Sequence, residues 1–193
     1  MFLNTEPTYV SSAKVEREMR FLRRVKPADL LAIAGSRDIH SLFLAILKIL
    51  VSSAKGTLVT FSSVKIGYIL SELLGRSQEG QTVDLDRKTW ASIREFVEFL
   101  AENGLLRKIK KSSRGIIYGI ERNTLFWNVL MYGDVTCVAH VLKRAYALVK
   151  LKHVDVPASQ ICEELLGCIS STGKPVVGTV GNQVQNKKQC LKP

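Results

Sequence analysis

The stretch from Leu105 to Arg122, LLRKIKKSSRGIIYGIER, constrains the fold more than any other part of this sequence. Apolar residues alternate with others on both sides of SSRG, which is typical of two strands joined by a tight turn. If Lys111 pairs with Ile116, one face of the pair is apolar, with Leu105, Ile109, Ile116, Tyr118 and Ile120. Lys108 and Lys110 then project from the opposite face. The stretch therefore predicts a β-hairpin that is apolar beneath and basic above.

The basic charge of the chain is local. The whole sequence of 193 residues carries a net charge of +11. Residues 107–122 contain six Lys or Arg against one acid, residues 1–37 seven against four, and residues 171–193 four lysines and no acid, whereas residues 38–106 are nearly balanced. Such a charge attracts polyanions. Charge alone does not choose between nucleic acid and an acidic membrane surface.

Three amphipathic helices are predicted before the hairpin. The first runs from about Asp38, which can cap it, to Ser53, and a β-rich run follows at residues 57–61. The second begins at Ser62 or Ser63 and ends at Gly75. The third spans about Arg87–Asn103, with Asp86 as its predicted N-cap and Gly104 as its stop.

The third helix has an unusual charge gradient. Its bases lie toward the N-terminal half and its acids toward the C-terminal half: Arg87, Lys88 and Arg94 against Glu95, Glu98 and Glu102. The helix dipole prefers the reverse order, with acids at the start and bases at the end. Helix stability alone therefore does not explain the arrangement.

The order helix, short strand, helix, helix and two-stranded ribbon, from Asp38 to Arg122, resembles the winged-helix variant of the helix-turn-helix family. In that family the third helix enters the major groove, and the ribbon, or wing, touches the phosphate backbone. The resemblance implies a mainly α protein with a small β-hairpin, of the α+β class, with additional N- and C-terminal helices. Winged helices also serve as protein-interaction modules, so the resemblance indicates the fold more strongly than the function.

The resemblance also implies a set of DNA contacts. They are Arg87, Lys88, Thr89, Ser92 and Arg94 on the third helix, Lys108, Lys110, Lys111, Ser112, Ser113 and Arg114 in the wing, and Lys65 on the second helix. Arginine and lysine can pair with guanine edges or phosphate oxygens, and hydroxyls can donate to phosphates. The three glutamates of the third helix would repel phosphates, so only its N-terminal half is expected to make contact.

Four regions are expected along the chain. A basic helical extension (residues 1–37) precedes the winged-helix domain (38–122), and a C-terminal helical segment (123–170) precedes a basic, poorly ordered tail (171–193). The extension is either a surface helix with charge pairs or a second nucleic-acid contact. The apolar residues of 124–152 either cover the protein's own core or form a homodimer, which would suit a palindromic site.

Histidines, aromatic residues and cysteines are expected to have structural roles. His40, His140 and His153 are isolated from one another, and no HExxH, GxSxG, P-loop or GxGxxG pattern occurs. Trp90, Trp127 and the tyrosines lie mostly on apolar stripes and are expected in the core. The four cysteines, Cys137, Cys162, Cys168 and Cys190, are expected as reduced thiols, with a zinc or disulfide site at Cys162 and Cys168 as the alternative. We therefore expect no enzyme, cofactor or metal.

The sequence favours an intracellular protein that binds double-stranded DNA, with transcription regulation as its role. The longest apolar run, residues 39–51, is shorter than the roughly 20 residues of a spanning helix, and the N-terminus does not resemble a secretory signal. No membrane partner is therefore expected. Two alternatives stay open: a protein-interaction module in a transcription, replication or chromosome-organising assembly, and association with RNA.

Overall fold

The described residues are mainly helical, with one small antiparallel sheet, as predicted. The computed structural model describes residues 11–76, 87–112 and 115–170. Its helices are α1 (Ser12–Leu22), α2 (Pro27–Ala34), α3 (Ile39–Ser53), α4 (Ser63–Arg76), α5 (Arg87–Glu102), α6 (Leu125–Tyr132), α7 (Val135–Leu151) and α8 (Ala158–Ser170). Its strands are β1 (Leu58–Ser62), β2 (Arg107–Ser112) and β3 (Gly115–Glu121). The predicted cap Asp86 and the predicted tail 171–193 lie outside the described residues.

Helix α3 lies at the centre of the fold. Every side chain from His40 to Leu47 is buried, which is typical of a helix enclosed on all sides by the rest of a protein. The predicted cap is confirmed, because Asp38 Oδ2 accepts a hydrogen bond of 3.0 Å from the backbone N–H of Ser41. The other helices and the sheet are therefore arranged around α3.

The sheet has the strand order β1-β3-β2, and both pairings are antiparallel. Lys111 pairs with Ile116, which was the premise of the hairpin prediction, and Ser112 also pairs with Gly115, so the strands continue into SSRG. The β-rich run before α4 becomes the third strand, with Phe61 opposite Tyr118. Strand β3 is the middle strand of the sheet, and its residues 117–120 are buried.

The ribbon of β2 and β3 contains a register shift that alternation did not reveal. Lys108 pairs with Tyr118, but Lys110 pairs with Ile117. Paired side chains share a face of the sheet, and the consecutive residues 117 and 118 face opposite ways. The prediction that Lys108 and Lys110 project from one face is therefore wrong.

Ile109 is the extra residue at this shift. A side chain at Gly119 would overlap Cδ1 of Ile109, so the glycine makes room for it. Gly119 is the chain neighbour of Tyr118 and therefore faces the other way. Ile109 thus lies on the opposite face from Tyr118, contrary to the prediction, because a bulge inverts the alternation on one side of it.

Helix α1 closes the outer edge of the sheet at β1. Lys14 Nζ donates to the Leu58 carbonyl at 2.9 Å, and the Glu18 carboxylate accepts from the Thr60 N–H at 3.2 Å and from its hydroxyl at 3.1 Å. These contacts occupy backbone groups on a strand edge that has no strand neighbour. Burial raises the pKa of Glu18, and the hydrogen bonds from Thr60 oppose that rise. The basic N-terminal stretch is therefore part of the fold.

The C-terminal helices cover α3. The predicted break at Gly133 is confirmed, and Asp134 Oδ2 caps α7 by accepting from the Cys137 N–H at 3.1 Å. Lys48 Nζ of α3 donates to the carbonyls of Leu130 at 2.8 Å and Gly133 at 3.0 Å, at the end of α6. The apolar side chains of α7 that are buried within this chain are Val135, Val138, Ala139, Val141, Leu142 and Ala145. Covering the protein's own core accounts for these residues.

A disulfide joins α7 to α8. Cys137 and Cys168 are bonded, with their Cα atoms 5.6 Å apart. The prediction of four reduced thiols is therefore wrong, and Cys168 bonds to Cys137, not to Cys162. The two cysteines are 31 residues apart in sequence, and only the antiparallel packing of two helices brings them together. Their spacing alone could not identify the pair.

Candidate nucleic-acid interface

Helix α5 is positioned by its apolar face and by His40. Its buried residues are Ile93, Phe96, Val97, Phe99 and Leu100. The Phe96 ring stacks on the His40 ring with centroids 4.4 Å apart, and Ser92 Oγ lies 2.9 Å from His40 Nε2. Burial lowers the pKa of His40, which favours the neutral ring, and the nearby Asp38 carboxylate opposes that shift. The hydroxyl of Ser92, a predicted DNA contact, is thus used inside the fold.

Three predicted contacts lie exposed at the N-terminal half of α5. They are Arg87, Lys88 and Arg94, which we call the α5 cations. None of them has an ion-pair or hydrogen-bond partner among residues 11–76, 87–112 and 115–170. Thr89, also predicted, is half-buried. Arg87 and Lys88 lie in the first turn, where positive charge is unfavourable for the helix, so these two cations do not serve its stability.

The acids of the C-terminal half are all in contact with other elements. We call Glu95, Glu98 and Glu102 the α5 carboxylates. The hydroxyl of Tyr146, on α7, donates to Glu95 at 3.0 Å, and Lys150, on the same helix, lies 3.6 Å from Glu102. Burial, together with Glu95, raises the pKa of Tyr146 to about 12. Two of the three carboxylates therefore connect α5 to α7.

Two predicted DNA contacts are ion-paired within the protein. Lys108 of β2 pairs with Glu98, and Lys65 of α4 pairs with Glu16 of α1. Glu98 also accepts a hydrogen bond of 3.0 Å from the Tyr118 hydroxyl. The bond from Lys108 lowers the pKa of Glu98, whereas burial and Glu98 raise the pKa of Tyr118 to about 12. Lys108 thus connects the ribbon to α5 in this structure.

The end of the ribbon carries the remaining predicted wing residues. Lys111 is exposed, whereas Lys110 is half-buried and lies on the other face of the sheet. The Ser112 hydroxyl donates to the Gly115 carbonyl at 2.9 Å and so stabilises the turn. Ser113 and Arg114 lie outside the described residues. The structure therefore divides the predicted wing cations between two faces.

Two grooves run along α5 and differ in charge. The α4–α5 groove has a volume of about 440 Å³ and is lined by Val64, Tyr68, Arg87, Trp90 and Arg94. The helices are close here, because a side chain at Gly67 would overlap the indole of Trp90. The α5–ribbon groove, about 520 Å³, shares Arg94 but also contains Glu95 and Glu98. The α4–α5 groove therefore has two cations that can bind an anion. The α5–ribbon groove has carboxylates beside its cation, Arg94, and would repel an anion.

Tyr68, which lies beside the α5 cations, was missed by the sequence analysis. Its exposed fraction is 64%, although the tyrosines were expected in the core. Trp90 is half-buried, whereas Trp127 and Tyr118 are buried as predicted. The buried stripe of α4 contains Ile66, Ile69, Leu70 and Leu73. At 100° per residue, Tyr68 falls opposite this stripe, and that offset is the signal that could have identified it.

Comparisons with known proteins found no protein similar to this chain. No protein-family model, curated protein or solved structure matches the chain. No single helix in the described part of the chain is both long enough and apolar enough to cross a membrane, and α2 and α3, which pass that test as a pair, are bent by 105°. Within the same part, no group of three or more His, Cys, Asp or Glu side chains could hold a metal ion.

Proposed function

We propose that this protein binds double-stranded DNA through a winged-helix domain at residues 38–122. Helix α5 enters the major groove, and the ribbon of β2 and β3 is the wing that touches the backbone. The element order α3, β1, α4, α5, β2, β3 supports this assignment, as does the sheet order β1-β3-β2. The proposed role is that of a transcription regulator, not of an enzyme.

The observation that carries the proposal is the exposed trio of α5 cations. Arg87, Lys88 and Arg94 have no partner among the described residues, and the helix dipole disfavours the first two, which lie in the first turn of α5. Phosphate oxygens and guanine edges are ligands for such side chains. A duplex approached by this end of α5 would supply the negative charge that the described residues do not.

The α5 carboxylates define how the duplex lies. Glu95 and Glu98 line the α5–ribbon groove, so a phosphate backbone that filled this groove would be repelled. The duplex therefore meets only the N-terminal half of α5, with Lys111 and Arg114 of the wing on the neighbouring phosphates. Lys108 pairs with Glu98 and so offsets the negative charge between the N-terminal half of α5 and the α5–ribbon groove.

The other proposed functions have less support than duplex binding. A protein-docking role for the acidic half of α5 would have to displace the contacts that Glu95, Glu98 and Glu102 make within the chain. A homodimer through residues 124–152 would use the apolar side chains that the fold leaves exposed there, Tyr132 and Leu151, which have exposed fractions of 47% and 74%. We retain the dimer as part of the proposal because two-fold symmetry matches palindromic DNA.

The test is a salt titration of duplex binding by fluorescence anisotropy. Wild-type affinity for a pool of random duplexes should fall steeply between about 50 and about 200 mM salt, because phosphate contacts release counterions. The triple variant Arg87→Ala, Lys88→Ala, Arg94→Ala should reduce the slope of log affinity against log salt by roughly three. The control removes three exposed bases elsewhere: Arg37→Ala, Lys55→Ala, Lys152→Ala.

Two results would contradict the proposal. The first is no binding of any duplex by the wild type at low salt. The second is an equal loss of affinity and slope in the two triple variants, since that would mean net charge alone acts. Selection of bound sequences from the same pool then separates a sequence-specific regulator from an architectural protein.

A further inference from the structure

Tyr68 presents an aromatic surface to solvent beside the α5 cations. Its ring meets the Trp90 ring edge-to-face, with centroids 5.3 Å apart and an interplanar angle of 70°. An edge-to-face contact covers at most one face of the Tyr68 ring, and the exposed fraction of 64% means that most of the side chain is open to solvent. The α4–α5 groove therefore contains a flat apolar platform that the packing of α4 does not explain.

The charges of the groove select an anionic ligand. Arg87 and Arg94 are seven residues apart, so they lie on one side of α5, about 10 Å apart along its axis, with Trp90 between them. Among the described residues no carboxylate lines this groove, whereas Glu95 and Glu98 line the other groove. Planar guanidinium groups bind phosphate oxygens in pairs and also stack on flat rings.

A ligand that satisfies both features has a flat ring and phosphates on each side of it. A nucleotide within a strand has this chemistry, because base-aromatic stacking and cation contacts with the backbone are the two general means of binding single strands. A base inside a duplex has both faces covered by its neighbours. Apart from the pair at a duplex end, which exposes one face, only an unpaired base can therefore stack on Tyr68.

We propose that the α4–α5 groove binds an unpaired nucleobase, stacked on Tyr68, with the flanking phosphates held by Arg87 and Arg94. This inference rests on the proposed function, in which the same half of α5 contacts nucleic acid, and specifies its ligand as a duplex with a single-stranded end or gap. The blunt duplex is held by the cations alone. DNA and RNA share the required chemistry.

The two tryptophans make a direct test feasible. In Trp127→Phe only Trp90 remains, and Trp127 is buried away from the groove, beside Arg122. A single strand of about 12 thymidines should quench the fluorescence of Trp90 saturably at about 50 mM salt. In the wild-type background, Tyr68→Ala should weaken single-strand binding roughly tenfold, as measured by anisotropy, and Tyr68→Phe less than about twofold, because the phenyl ring still stacks. A single strand of uridines of equal length shows whether DNA or RNA is preferred.

A blunt duplex of the same length separates this inference from the function on which it rests. Both Tyr68 variants should bind the blunt duplex as the wild type does, and a duplex with an overhang of about five nucleotides should bind more tightly to the wild type than to Tyr68→Ala. If wild type and Tyr68→Ala bind every single-stranded probe equally, the inference is overturned and duplex binding stands. If the wild type binds blunt duplexes but no single strand, the result is the same. If it binds neither, both proposals fail.

Discussion

Helix α5 carries cations in one half and carboxylates in the other, and the two sets differ in what they contact. The α5 cations have no partner among the described residues, whereas each α5 carboxylate contacts β2, β3 or α7. This difference in contacts explains why the charge gradient of α5 runs against the helix dipole. The acids connect α5 to the neighbouring elements of the fold, whereas the bases are available for a ligand.

The contacts of the α5 carboxylates orient the helix more than they stabilise it. Glu98 and Glu102 are half-exposed and exposed, and ion pairs of that kind contribute about 0–1 kcal/mol each. The apolar face of the same helix buries five large side chains. Each of these is worth roughly 1.5–3 kcal/mol of burial. The comparison between the two halves therefore concerns charge and orientation, and the buried face beneath them provides the stability.

The largest effect should come from that buried face. Phe96→Ala removes a fully buried ring that stacks on His40, and it should lower the free energy of unfolding by about 3–5 kcal/mol. Arg94→Ala, on the exposed side of the same helix, should change it by less than about 0.5 kcal/mol. Urea unfolding followed by circular dichroism measures both. Similar losses in the two variants would mean that the α5 cations support the fold.

A smaller loss is expected where α4 and α5 approach each other. Gly67→Ala adds a methyl group that overlaps the Trp90 indole, so the ring must move, and the free energy of unfolding should fall by about 1–3 kcal/mol. The matched control is Gly167→Ala on α8, where an added Cβ meets nothing within 4 Å. It should stabilise by up to about 1 kcal/mol, because alanine favours helix. If Gly67→Ala behaves like the control, α4 and α5 are not held in contact at Trp90.

Local signals predicted the parts of this fold that depend on neighbouring residues. The caps Asp38 and Asp134 were predictable because a short acidic side chain reaches the N–H three residues on. The pairing of Lys111 with Ile116 could be assumed from the apolar residues on both sides of SSRG. The buried stripe of α5 followed from its period. These features need only a few consecutive residues and the geometry of one element.

The parts that were missed depend on residues far apart in sequence. Glu95 meets Tyr146 across 51 positions, and Cys137 meets Cys168 across 31. The bulge at Ile109 depends on Gly119 of the facing strand. The sequence shows that α5 carries acids in its C-terminal half, but it does not show which elements those acids contact. The exposed Tyr68 was the exception, since the stripe of its own helix already placed it outside.

Removing one α5 carboxylate, Glu98, tests how the acidic half of α5 differs from its basic half. Glu98→Gln ends the ion pair with Lys108 and reduces the repulsion of phosphates in the α5–ribbon groove, so duplex affinity should rise by roughly two- to fivefold at low salt. The pKa of Tyr118, about 12 in the wild type, should fall, because Glu98 contributes to raising it. Tyrosinate absorbance measures this shift. Glu121→Gln, which ends an ion pair with Arg107 instead, is the control and should leave that pKa unchanged.

The smallest effect is expected at the boundary between the two halves, where Ser92 meets His40. Burial lowers the pKa of His40 in the folded protein, whereas the unfolded chain titrates near the ordinary value of about 6.5. The unfolded state therefore binds more protons as the pH falls through that value, and the free energy of unfolding decreases. The stabilisation is complete above about pH 7 and is lost on acidification.

His40→Gln should show a weaker decrease between about pH 7.5 and about pH 5.5, because glutamine can still bond to Ser92 Oγ but does not titrate. The other two histidines are present in both proteins, so the difference between the two pH profiles isolates His40. Thermal unfolding at each pH provides the measurement. Parallel profiles would mean that His40 is solvated in the folded state, and that the buried apolar face of α5 holds the helix against α3 without the contact at Ser92.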